Sequence, residues 1–67
     1  MSPDKMVLMV NQIAGFFDTQ PGGAAPEKIA AHLRDFWDPS MRAALAAHLA
    51  AGGEGLDDLA REAVAKV

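Results

Sequence analysis

Apolar positions in this 67-residue chain recur at three- and four-residue steps, in four stretches separated by helix-breaking residues. Met6, Met9, Val10, Ile13, Phe16 and Phe17 make one helical face, widened by Val7 and Ala14, with Asn11, Gln12 and Asp18 as its polar side. Leu8 lies off that stripe. Ile29, Leu33 and Phe36 make a second stripe, with Ala30 and Trp37 beside it. Met41, Leu45 and His48 or Leu49 make a third on an alanine-rich cylinder, where high helix propensity offsets the thin stripe. Leu59, Ala60, Ala63, Val64 and Val67 make the fourth. No stretch alternates with period two, so no strand is expected.

The residues between the stripes set the ends. Ser2-Pro3-Asp4 combines an N-cap, a first-turn proline and an acid that favours the helix dipole. The first helix should fray near Thr19-Gln20, and Pro21-Gly22-Gly23 is the strongest break in the chain. Pro26 restarts a helix with Glu27 in its first turn, and Asp38-Pro39 ends that helix and begins the next. Gly52-Gly53 is a helix stop, because glycine accepts the left-handed conformation that follows a C-terminus. Asp57 can cap a last helix, with Arg61 and Lys66 towards its negative end. Helices are therefore expected over 3–19, 25–37, 39–51 and 57–67. The expected fold class is all-α, a small bundle of three longer helices plus a short C-terminal helix, in one domain spanning 1–67.

Composition narrows the stability and the chemistry. Of the residues 51% are hydrophobic, but many of these are alanine and fill little core volume. A domain this small is marginal, so a weakly stable fold, or a core completed on a partner, is expected. Without cysteine there is no disulfide, thiolate site or iron–sulfur ligation. The net charge of −3, with Lys5, Lys28, Arg34, Arg42, Arg61 and Lys66 scattered among acids, argues against nucleic acid. No apolar run approaches the ~20 residues that span a bilayer, and Met6–Val10 is too short for a signal-peptide core. A soluble cytoplasmic protein is the expectation.

Candidate sites are few. His32 and His48 have no metal-ligand spacing and read as structural or surface residues. Ser2, Ser40 and Thr19 sit at helix ends rather than beside a base. Asp35/Asp38 and Asp57/Asp58 lack a cleft, and Asp38 and Asp57 are more simply caps. Neither Gly22-Gly23 nor Gly52-Gly53-Glu54-Gly55 follows a strand or precedes Lys-Ser, so neither is a phosphate loop. The two Ala-Ala-His-Leu copies at Ala30–Leu33 and Ala46–Leu49 read as coincidence in an alanine-rich chain. No catalytic, cofactor-binding or metal site is expected. The aromatics differ. Adjacent helical residues point about 100° apart, so with Phe36 on the inner stripe, Trp37 is expected at the edge of the bundle. Trp37, with Arg42 one turn into the next helix, is then the expected docking point, followed by Phe16 and Phe17.

Several segments, in this order and spacing, resemble a known family. They are Asn11-Gln12-Ile13-Ala14, Phe16-Phe17, Gln20-Pro21, His32-Leu33-Arg34, Phe36-Trp37-Asp38-Pro39, Met41-Arg42, Ala47-His48-Leu49, Ala51-Gly52-Gly53 and Gly55-Leu56-Asp57. Together they are similar to the delta subunit of the soluble, molybdenum-containing, NAD-dependent formate dehydrogenase, over nearly the whole chain. The resemblance implies an accessory subunit, not an enzyme, bound to the large (alpha) subunit and through it to the others. The complex would oxidise formate to carbon dioxide using molybdopterin-bound molybdenum, iron–sulfur clusters, FMN and NAD, none of them held by this chain. The implied role is assembly, cofactor retention or stability. Ser40 and Asp58 depart from the pattern, where Arg and Pro are usual. The loss of a cation at Ser40 leaves Arg42 as the local cation for any salt bridge to the partner. Two other readings compete: a free-standing helical binding module or small regulator, and a helix-turn-helix protein, which the negative charge disfavours.

Overall fold

The computed structural model describes residues 2–67 as four helices: α1 (Pro3–Asp18), α2 (Ala25–Phe36), α3 (Pro39–Ala50) and α4 (Asp58–Val64). The fold class is all-α, with three longer helices and a short C-terminal one. Each start has a local cause. Ser2 Oγ accepts the Lys5 amide at 3.3 Å, and Asp38 Oδ1 accepts the Met41 amide and the Ser40 hydroxyl, each at 2.8 Å. Prolines occupy the first turns of α1, α2 and α3, where no amide is missed. α2 has no side-chain cap; it starts from Ala24, held left-handed at φ 60°.

α3 ends in a Schellman motif. The Gly52 amide donates to the Leu49 carbonyl at 3.0 Å, and the Gly53 amide to His48 at 2.9 Å. This needs Gly52 at φ 122°, which a side chain rarely adopts. α4 is shorter than the pattern suggests, stopping at Val64; the last residues form single turns, with Lys66 and Val67 amides on the Ala63 and Val64 carbonyls.

The core joins all four helices. Met6, Val10 and Ala14 of α1 meet Ile29 and Leu33 of α2, Leu45 of α3, and Ala60, Ala63 and Val64 of α4, with Trp37 and Leu56 supplied by the connections. α2 packs against both α4 and α1, which also touch each other, and the alanines of α4 let it approach closely. The radius of gyration is 10.8 Å, against about 11 Å for a compact chain of this length. The thin, alanine-filled core of the pattern is thus a closed one.

Candidate functional site

The structure reverses the aromatic pair at the α2–α3 corner. Trp37 is 6% exposed and belongs to the core, whereas Phe36 is 74% exposed. The cause is backbone. α2 ends at Phe36, and Trp37 is extended at φ −95° and ψ 136°, so the helical 100° offset does not apply to it. The extended link turns the indole back onto the bundle, where it fills the end of the Ile29–Leu33 stripe, and Phe36 is left outside. The expected docking role of Trp37 therefore loses its premise. Arg42 is half-buried, with its Nε shielded from solvent and without a hydrogen-bond partner.

Phe16 and Phe17, expected as the next docking candidates, do lie together at the surface. Their rings are 5.4 Å apart and nearly perpendicular. Phe17 meets His32 of α2 at 5.8 Å, and His32 meets Phe36 at 4.7 Å. A ladder of four rings thus crosses from α1 to α2. Beside it opens a groove of about 400 Å³ lined by Met9, Gln12, Ile13, Phe16, Phe17 and His32. Phe16 is 62% exposed and Leu8 57%. So the Met9 and Phe16 positions of the expected inner stripe face out, because the bundle closes on Met6, Val10 and Ala14, with Ile13 and Phe17 at the margin.

Neighbouring residues of α1 add to the uncharged surface. Residues 6–17 contain no charged side chain, although Leu8, Met9, Gln12, Gly15 and Phe16 of that stretch are exposed. A helix with one wet face normally carries charges there. Gly15 is also unexplained by the fold: it is exposed, and a Cβ placed on it would meet nothing within 4 Å. A mid-helix glycine costs about 0.5–1 kcal/mol relative to alanine. The charge-free run was readable from the sequence; the position of Phe36 was not.

Several polar side chains elsewhere brace the chain's own loops. Asn11, counted on the polar side of α1, instead clamps the α3–α4 connection: its Nδ2 donates to the Gly55 carbonyl at 2.9 Å, and its Oδ1 accepts the Asp57 amide at 3.0 Å. That leaves Asp57 as an N-cap by backbone alone, without a side-chain cap bond. Arg61 donates to the Gly52 and Gly53 carbonyls at 2.8 and 3.0 Å, and His48 Nε2 lies 2.8 Å from the Glu54 carbonyl. Asp38 has its carboxyl held below the usual range, first by the Met41 amide and then by the Ser40 hydroxyl. Among the described residues no cluster of three His, Cys, Asp or Glu side chains could hold a metal ion, and no helix is long and apolar enough to cross a membrane.

The fold and its surface define a small all-α protein in which Asn11, His48 and Arg61 brace its own α3–α4 connection and an aromatic face is left uncovered. A family profile described as "NADH-dependant formate dehydrogenase delta subunit FdsD" matches residues 5–64. The chain belongs to that family of formate dehydrogenase delta subunits, and so to a complex with other subunits. A search of curated proteins finds no match.

Proposed function

We propose that this chain is a non-catalytic accessory subunit that docks on the large, molybdenum-bearing subunit of a cytoplasmic, NAD-dependent formate dehydrogenase. The observation that carries this reading is the ring ladder Phe16–Phe17–His32–Phe36 with its open apolar groove, on a chain of the delta-subunit family. Uncovered aromatics of this kind are enriched in interface cores, and each well-buried one contributes substantially to affinity. Covering them supports the assembly, cofactor retention or stability of the larger subunit. Molybdopterin-bound molybdenum, iron–sulfur clusters, FMN and the NAD site belong to other subunits in this reading. The donor set here does not fit the metal centres, since cysteine is absent and the two histidines lie on different helices.

The test uses the complex assembled without this subunit. Adding wild-type chain should restore a stoichiometric complex and slow the loss of molybdenum and formate oxidation on storage. The double variant Phe16→Ser/Phe36→Ser should keep its helical circular dichroism yet bind at least ~30-fold more weakly, the loss expected for a truncated hot spot of about 2 kcal/mol. Wild-type affinity in that variant would remove the aromatic face from the interface. Equal molybdenum retention with and without the chain would remove the supporting role.

A further inference from the structure

We infer that docking through this face is coupled to a proton: His32 enters the interface as the neutral imidazole, so the subunit binds its partner more weakly in mild acid. The inference rests on the docking reading above and adds a condition under which the face can be covered. His32 is the titratable side chain of the groove, which it lines together with Met9, Gln12, Ile13, Phe16 and Phe17.

The His32 ring is half-buried and stands between two others, Phe17 of α1 at 5.8 Å and Phe36 of α2 at 4.7 Å. Among the described residues it has no hydrogen-bond partner, unlike His48 on the Glu54 carbonyl. No neighbour compensates a positive charge there. From α1, residues 6–17 bring none, and Asp4, Lys5 and Asp18 lie at the ends of the helix. On α2, Lys28 lies four residues before His32 and Asp35 three after; both are exposed and of opposite sign. Glu27 and Arg34 are turned to Lys66 instead. α3 and α4 contribute no residue to the groove. Covering the groove removes the water that reaches the ring through it. A neutral imidazole then needs one donor and one acceptor, which uncharged groups such as the Gln12 amide can supply. An imidazolium would become a desolvated charge without a counter-ion, and attraction to the flanking ring faces recovers only part of the lost hydration. The proton is therefore expelled on binding. As pH falls through the imidazole range, a growing share of the chain must give up that proton first, which weakens binding by up to ~10-fold per pH unit.

The experiment measures binding of the full chain to formate dehydrogenase assembled without this subunit, from about pH 8 to about pH 5. Wild type should bind at least ~10-fold more weakly at the acid end. It should also release a proton on binding in mid-range, read by calorimetry in two buffers of different ionisation heat. His32→Gln and His32→Phe cannot titrate and should lose both effects, whereas His48→Gln should keep both. Circular dichroism of the free chain should stay constant over the range; acid unfolding there would place the effect in the fold and overturn the inference. A flat wild-type profile, or a slope that survives in the His32 variants, overturns it and leaves the docking face standing. Tighter binding in acid, abolished by the His32 variants, would mean that the partner offers a carboxylate to an imidazolium, and overturns it too. Should neither His32 variant bind, proton release by wild type decides alone, and its absence sinks the inference. Phe16→Ser/Phe36→Ser tests the reading beneath: wild-type affinity in that variant at about pH 8 removes the face from the interface, and the inference with it.

Discussion

The connections between helices are held in two different ways. The α3–α4 connection is fastened from three sides, by Asn11, His48 and Arg61, and buries Leu56 and Gly53. The two-residue α2–α3 corner sinks Trp37 into the core. Thr19–Ala24, between α1 and α2, is exposed throughout; the Thr19 hydroxyl bonds back to the Phe16 carbonyl at 2.7 Å, and the loop ends on a left-handed alanine. The fastened connections are part of the core, while the free one adjoins the aromatic face. The parts that hold the fold and the face proposed for docking are thereby different parts of a very small molecule.

The sharpest way to break this contrast is Trp37→Ala. It should destabilise the free chain by about 3–5 kcal/mol, enough to unfold a domain of this size, as read by denaturant titration followed by circular dichroism. A folded variant with lost binding would return the indole to the surface role expected from the sequence. Asn11→Ala should follow, costing roughly 0.5–1.5 kcal/mol for each of the two bonds lost, because the exposed Gly55 carbonyl and Asp57 amide turn to water instead. In the free loop the sign reverses. Ala24→Gly should stabilise by about 1 kcal/mol, since a left-handed alanine carries a strain that glycine does not. A loss there would mean the loop is held by contacts that glycine loosens.

The smallest effect concerns pH. A carboxyl whose folded value is lowered contributes stability above the ordinary aspartate range, and that contribution is lost as pH falls through the lowered value. The difference in denaturation midpoint between wild type and Asp38→Asn should therefore hold at neutral pH and shrink below about pH 4. A difference that persists unchanged into strong acid would disconnect Asp38 from the start of α3.

Much of the architecture is legible in the chain because its punctuation is local. Pro3, Pro26, Asp38-Pro39 and Gly52-Gly53 act on the residues beside them, and the helices begin and end near them. The corner departs from the pattern for a physical reason: the helical offset holds only inside a helix, and Trp37 lies one residue beyond the end of α2. The face on α1 was half legible. The sequence marks Phe16 and Phe17 as an adjacent aromatic pair but puts Met9 and Phe16 on the inner stripe, because periodicity shows which residues share a face and not which way the bundle closes. Asn11 was not legible at all, since its partners lie 44 and 46 positions away.

That distance has a consequence for how the molecule closes. The Asn11 amide that seats α1 finds its partners only at Gly55 and Asp57, and the buried side chains of α1 meet Leu56, Ala60, Ala63 and Val64. Contacts so far apart in sequence bring the entropy cost of a long loop, which no local turn offsets. α1 and the segment from Gly55 to Val64 therefore close in one step, and the aromatic face on α1 has a fixed inside and outside only once that step is made.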